Sequence, residues 1–417
     1  MRRQRGLFVR ILITSAYYWP EAAGNAPYVT GLTEYLVARG HDVVVVTGFP
    51  HYPEWRSTAR GRLAAQESHA GAEVRRRWHY VPKAQSARTR GVYELSLCAS
   101  GLTAVPKRRP DIVLGIVPTL SGAVLARAAS ALYRRPYALL FQDLLGPAAW
   151  QSGIDGGTRI ASIVERMELW LVRRAAGVIV IADGFGRYFE ARGVPHERIH
   201  RVRNWAQNSH DPQPVEETRR RLGWGDDDFV CLHAGNMGRK QGLQNVLEAA
   251  ATLRDAKVRI VLAGDGNERI RLEEEARQRM LANLSFLPLQ PPGEYEAMLC
   301  AADLLIVNQR ASVGEMSLAS KLTSYFIAGR PVIGAVADAS ETAQELRSAG
   351  AGILIAPDDP TALAEAILHL MTEPGLAATY AENGRRYAQE HLSPESVLAE
   401  YEVLLESLVE DSQRDSR

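Results

Sequence analysis

The stretch "FVCLHAGNMGRKQGLQNVLEAA", residues 229 to 250, decides the fold. Phe229 to His233 is a short apolar run of the kind that forms a buried strand. Gly235, Gly238 and Gly242 punctuate the turn after it, and a helix follows. A strand feeding a helix through glycines allows close backbone approach beside the unpaired amides of a helix start, and Arg239 and Lys240 add two positive charges. That combination suits a diphosphate. The plainer reading is a glycine-rich turn carrying two solvated basic residues.

Working outward, the same rhythm recurs. Strand-like runs are predicted at residues 9–14, 43–47, 74–78, 112–117, 137–141, 178–181 and 199–202. The second half has them at 229–233, 258–263, 284–286, 304–307, 332–336 and 353–355. Apolar strands alternating with helical patterns imply parallel sheets built from right-handed crossovers. The rhythm breaks once, at residues 204–228, where prolines and a charged helix near Glu216 to Arg221 read as a linker. The expected fold is therefore α/β, with two doubly wound Rossmann-like domains, residues 1–205 and 206–390. Each domain's ligand edge would line one deep cleft. Three amphipathic helices (360–372, 375–390 and 394–410) close the chain. Within residues 391–417 the last helix, with Ser393 as N-cap and Pro394 at its first position, is expected to cross back to the first domain, ahead of a polar tail.

Composition narrows the function. The chain has 417 residues, of which 46% are hydrophobic and 23% charged, with a net charge of +1, so no global field attracts nucleic acid. Cys98, Cys231 and Cys300 are too far apart for a disulfide framework or a cysteine metal cluster, which favours a reducing, cytoplasmic setting. The start, MRRQRGLFVRILIT, is basic then apolar like a signal peptide. Its apolar part is short, however, and Tyr17, Tyr18, Trp19 and Pro20 stand where small residues would be cleaved, so it reads as a first strand. No run of 18 apolar residues would span a membrane. From Arg56 to Arg90 there are nine Lys or Arg against two acidic residues, near Trp78, Tyr80 and the apolar Val92 to Leu97. This stretch is either a solvated loop or a peripheral contact with an anionic surface such as the inner face of a membrane.

A second candidate for phosphate chemistry is "GEMSLASKLTSYFIAGRPV", 314 to 332. As a helix it presents an apolar stripe of Leu318, Leu322, Tyr325 and Gly329, and a polar stripe of Ser317, Ser320, Lys321 and Ser324. Gly329 and Pro331 stop it. Hydroxyls around one ammonium at a helix start suit phosphate oxygens or sugar hydroxyls. "AGDGNE" (263 to 268) repeats the strand–glycine–helix pattern with Gly264 and Gly266, and "PEAAGNAPYV" (20 to 29) does so in the first domain with Gly24 and Asn25. In "FQDLLGP" (141 to 147), Asp143 is either a ligand contact or a helix cap. Asp226 to Asp228 has the spacing of a cation-binding acidic pair, but it precedes a strand, opposite the ligand edge. No metal is expected, and charge neutralisation falls to Arg239, Lys240, Lys321 and helix dipoles.

Taken in this order, these motifs, with "RVRNWAQ" (201 to 207) between them, resemble glycosyltransferase family 4, retaining enzymes of the GT-B fold. The resemblance points to its colanic-acid and exopolysaccharide branch. It implies that the second domain binds a nucleotide-diphosphate sugar (UDP-, GDP- or dTDP-linked). The first would bind a saccharide, lipid-linked or small-molecule hydroxyl acceptor, with no cofactor or metal. Arg239 and Lys240 match the basic pair at the diphosphate, with Asp143 completing the catalytic set. Gly24, Asn25, Gly235, Asn236, Gly264, Gly266, Ser317, Ser320, Lys321 and Ser324 would surround the donor. Two positions depart from the family. Of its two glutamates with seven residues between them, the second is Ser324 here, and the first falls at Met316, beside Glu315, which is expected to take over a donor contact. The histidine before the first-domain aspartate is Gln142, left to position the acceptor. The competing readings are a nucleotide-sugar epimerase on the same fold and a non-catalytic homologue that binds nucleotide sugar or a partner transferase.

Overall fold

A computed structural model of the chain describes residues 7–21, 24–52, 54–83, 86–144, 157–205, 214–291, 293–312 and 319–414. It resolves into two units, Met1–Asn204 with Glu395–Arg417, and Trp205–Pro394. The first unit holds β1 (Arg10–Thr14), β2 (Asp42–Gly48), β3 (Ala64–His69), β4 (Ala72–Arg77), β5 (Ile112–Val117), β6 (Tyr137–Phe141), β7 (Gly177–Val180) and β8 (Ile199–Arg201). The second holds β9 (Phe229–Ala234), β10 (Val258–Ala263), β11 (Leu284–Leu287), β12 (Leu304–Asn308), β13 (Val332–Ala335) and β14 (Gly352–Ile355). The sheet orders are β3-β4-β2-β1-β5-β6-β7-β8 and β11-β10-β9-β12-β13-β14, parallel except for β3 against β4. Helices cover both faces, so β5, β6, β7 and β12 are buried at every residue and read as unbroken apolar runs.

One strand escaped the sequence reading. Ala64–His69 carries "AAQESH", with no apolar run to announce it, and alternates exposed with half-buried positions as an antiparallel edge strand on β4. This hairpin also engages three arginines of the basic stretch. Arg75 pairs with Glu73 and donates to the Ala104 carbonyl. Arg77 donates to Thr103. Arg76, 2% exposed, donates to Glu67 and to the carbonyls of Gly48 and Trp19. These three arginines brace the sheet edge. Among the described residues no helix is long and apolar enough to cross a membrane.

The helix predicted around Lys321 begins later than its pattern suggested. It spans Lys321–Ala328, with Ser320 as N-cap and Gly329 ending it at φ 59°. Leu322 and Tyr325 face the core, joined by Phe326. Glu315, Met316, Ser317 and Leu318 lie outside the described residues.

The final helix, Pro394–Arg414, packs on the first unit through Glu402. The Glu402 carboxylate accepts from Arg39 Nε (3.0 Å), the Tyr35 hydroxyl (3.0 Å) and His41 Nε2 (3.2 Å). Burial opposes its ionisation, but these hydrogen bonds outweigh burial and hold it below the usual carboxylate range. His41, Glu402 and Glu406 are close enough together to suggest a metal centre. The tautomer argues otherwise. His41 Nδ1 accepts from the Val9 amide at 3.2 Å, so in the neutral ring Nε2 carries the proton and donates to Glu402. Glu402→Ala should cost about 2–3 kcal/mol and lower the melting temperature of the first unit by several degrees. An unchanged melt would mean that the helix is held by apolar packing alone. The carboxylate's contribution is complete above the unfolded glutamate pKa and disappears as the pH falls through its depressed folded value.

Candidate functional site

In a doubly wound sheet, ligands gather at the carboxyl ends of the strands where the strand order reverses. In the second unit the chain runs outward from β9 through β10 to β11 and returns at β12, so that point lies between β9 and β12. The turns leaving β9 and β10 stand back to back there. Gly235 donates to the Ala263 carbonyl, Met237 to Asp265 and Glu268 to Met237, at 2.8 to 3.0 Å. Gly235 and Gly264 both have φ +136°. A Cβ on Gly264 would lie 1.9 Å from the Gly235 oxygen, and one on Gly266 would lie 2.5 Å from the Met237 carbonyl carbon. Gly264 and Gly266 were expected at the donor. Their glycine requirement comes from the packing of one turn on the other, and Asn236 of the first turn is exposed.

Arg239, Lys240 and Gln241 form a single 3-10 turn that presents both cations outward. Arg239 is 80% exposed, with Glu268 3.5 Å from its Nε. Residues that the sequence reading passed over bolt this turn to the end of β12. Asn308 Nδ2 donates to the carbonyls of Gln241 (2.7 Å) and Gly242 (3.0 Å), and its Oδ1 accepts from Asn245. The Arg310 amide donates to the Lys240 carbonyl at 3.0 Å. Gly242, at φ 58°, passes close to Arg310. Arg310 itself is exposed, a fourth cation at this edge.

Lys321 completes the set from the helix after β12. Its Nζ lies 3.2 Å from Nε2 of fully buried His233, the last residue but one of β9. His233 Nδ1 is 3.2 Å from the Ile306 carbonyl, which can only accept, so Nδ1 carries the proton and Nε2 accepts from Lys321. Burial and the neighbouring lysine keep the imidazole neutral. Although part of Lys321 reaches the surface, the protein packed around its ammonium pushes its pKa down to about 7. A Cβ on Gly235 would lie 3.4 Å from that ammonium, so Lys321 sits directly beside the β9 turn. Tyr325, one turn along the helix, accepts from the Ala234 amide at 2.9 Å and fixes helix to strand. Ser320 is exposed at the helix start. Ser324, expected at the donor, is engaged with the Tyr295 hydroxyl and so joins two helices. His233 could have been suspected from the sequence only as a polar residue inside an otherwise apolar strand.

In the first unit, Gly24 takes φ +65° and Asn25 is the buried N-cap of the helix Ala26–Ala38, beyond the carboxyl end of β1. Asp143 is exposed after β6, its Oδ1 accepting from the Leu144 amide at 2.8 Å. Gln142, expected to position the acceptor, has a partner within its own unit. Its amide exchanges two hydrogen bonds with Asn204, at 2.9 and 2.8 Å, and ties β6 to the end of the unit. Asp228 is likewise structural, accepting from the Gly225 amide and Arg259 at the amino end of β9.

Comparison with known proteins adds to this geometry. The glycosyl transferase 4-like domain matches residues 23–205, and the glycosyl transferases group 1 family matches residues 214–387. The chain is 30% identical to the putative colanic acid biosynthesis glycosyl transferase WcaI of Escherichia coli (strain K12), over 94% of this chain and 98% of that one. Among solved structures, sucrose-phosphate synthase from Thermosynechococcus elongatus superposes with a TM-score of 0.73 at 20% identity, covering 96% of this chain and 99% of the other. HepE of Anabaena, in complex with UDP, superposes with a TM-score of 0.71 at 18% identity, covering 95% and 100%. These structures carry the fold, which is GT-B.

Proposed function

The chain belongs to the nucleotide-sugar glycosyltransferases that pair a 4-like domain with a group 1 domain, and from that premise we propose a retaining, metal-independent transfer to a hydroxyl acceptor. The acceptor is a saccharide, lipid-linked or small-molecule alcohol. The observation that carries this reading is the convergence of Arg239, Lys240, Arg310 and Lys321 on the glycine turn at the β9/β12 edge. A nucleotide-diphosphate sugar brings two negative charges. Four cations and a helix start neutralise them without a divalent ion.

In the proposed reaction the bond from the sugar's anomeric carbon to the diphosphate oxygen breaks while a bond to the acceptor oxygen forms on the same face. The acceptor's proton passes to the departing phosphate. Arg239 and Lys240 stabilise the charge that grows on that phosphate, which is electrostatic catalysis by groups already in place. Lys321 and Ser320 hold a phosphate or the donor sugar, and Gly235 and Asn236 allow it close approach. Gly24, Asn25 and Asp143 serve the sugar and acceptor from the first unit. Glu315 and Ser317 keep their expected donor roles.

A thermal-melt panel of UDP, GDP, dTDP and their sugars tests the reading. At about 100 times Kd a nucleotide adds roughly 2.7 kcal/mol to the liganded unit, a shift of several degrees. The base that shifts the melt names the nucleotide, and the sugar that adds to it names the donor. With donor and acceptor in hand, turnover should survive thorough chelation. Loss on chelation that magnesium or manganese restores would defeat the charge assignment, and isomerised donor formed without acceptor would mark an epimerase. If no nucleotide stabilises well-folded protein, the diphosphate reading is wrong.

A further inference from the structure

The first unit carries a pocket of about 710 Å³ that the reading above does not use. Its walls come from residues 54–57, after β2, and 78–83, after β4. Since β2 and β4 are parallel, both segments leave the carboxyl ends of their strands, the ligand edge of this sheet. The size is that of a small-ligand cavity.

The walls are aromatic and held stiff. Trp78, 42% exposed, is fixed through its backbone amide to the Leu63 carbonyl at 2.9 Å. Trp55 sits at φ 51°, a left-handed conformation that is costly for a bulky side chain. Neighbours hold it there, with Tyr52, His51 and Tyr93 rings edge-on at 5.7 to 6.1 Å and the Arg90 guanidinium 5.4 Å over its face. Glu21, buried beneath, accepts from the His51 and Tyr52 amides at 2.8 Å and locks the loop that carries Trp55. His79, 1% exposed, lies in the same wall. Its Nδ1 faces the Arg77 carbonyl at 3.4 Å, and its Nε2 has no hydrogen-bond partner. Gly48 makes room for that ring, because a Cβ there would come within 2.4 Å of it. Burial lowers the His79 pKa to about 3, so the ring is neutral and Nε2 is an unmet acceptor. At the rim, Glu54, Arg56 and Lys83 supply both acceptors and donors.

We propose that this pocket is a saccharide subsite, in which a pyranose ring of the acceptor stacks its C–H face on Trp78 and Trp55 while its hydroxyls meet the charged rim. A lipid tail would leave the rim charges unmet. A nucleobase would stack, but the proposed diphosphate site belongs to the other unit. The proposal rests on the transferase reading for the word acceptor, and the binding itself does not.

The test uses full-length protein labelled with 5-fluorotryptophan, whose seven tryptophans give separate fluorine resonances. Trp78→Phe and Trp55→Phe assign the two lines. Titration with neutral and uronic methyl pyranosides should shift both lines saturably and leave the other five in place. Once an acceptor is known, Trp78→Ala should raise its KM about ten-fold with donor KM and melting temperature unchanged. No shift at tens of millimolar sugar overturns the proposal, as does a shift seen only with octyl pyranosides or only with nucleosides. The nucleotide melt on the same sample reports on the transferase reading separately, so the two can fail independently.

Discussion

Arg239→Ala and Lys240→Ala should each slow turnover about 10²–10³-fold at saturating donor, a loss of about 2.7–4 kcal/mol of transition-state stabilisation. The size follows from where the charge grows. As the sugar departs, a phosphate oxygen gains negative charge at the β9/β12 edge, and a cation already in place stabilises it without reorganisation. The 3-10 turn provides that placement. It is pinned by Asn308 and the Arg310 amide, while both side chains stay at the surface. The same exposure predicts that melting temperature will barely move, since surface substitutions usually fall within about 0.5 kcal/mol. Rate and stability should therefore separate. Asn308→Ala should not separate them, because it frees the turn and also leaves buried partners unsatisfied. If either cation variant keeps its rate within a factor of two, that residue is not at the phosphates.

How much of this was legible beforehand depended on the physical signal each feature leaves. Buried parallel strands announce themselves as apolar runs, so Ile112–Val117 and Val258–Ala263 appear where the pattern puts them. The edge strand Ala64–His69 buries no face and left no pattern. Glycine turns were recognised, but not which surface each glycine served. Gly264 and Gly266 answer to the neighbouring turn, a contact between segments almost thirty residues apart, and only three dimensions reveal it. Basic residues were counted as surface charge, yet Arg76 is consumed by Glu67 and two carbonyls. Asn308 and His233 went unassigned for the opposite reason. Each is a polar residue in a buried strand, and its value lies wholly in a partner distant in sequence.

That His233–Lys321 pair supports the last expectation, that donor binding takes up a proton. With its pKa near 7, Lys321 is about half charged at pH 7 and about one per cent charged at pH 9. A diphosphate beside it favours the ammonium and raises that pKa. The groups facing it do not titrate in this window. His233 is held neutral, and Tyr325 and Tyr295 are pushed above their usual range. The donor's diphosphate, esterified at both ends, is also constant there. Its affinity should then fall about 50-fold from pH 7 to pH 9, with about 0.9 proton taken up per donor at pH 8. Calorimetry in two buffers of different ionisation heat reads the proton directly. The unliganded protein carries the opposite sign. A lysine whose folded pKa lies below its unfolded value costs stability at low pH, and that cost is relieved as the pH rises from about 7 toward the unfolded lysine value. Raising the pH should therefore steady the free second unit, as far as this residue is concerned, while weakening its hold on the donor. Lys321→Met should abolish both trends, and Lys321→Arg should flatten them by keeping the charge permanently. Affinity that is level from pH 7 to pH 9 in the native chain would place the diphosphate away from Lys321.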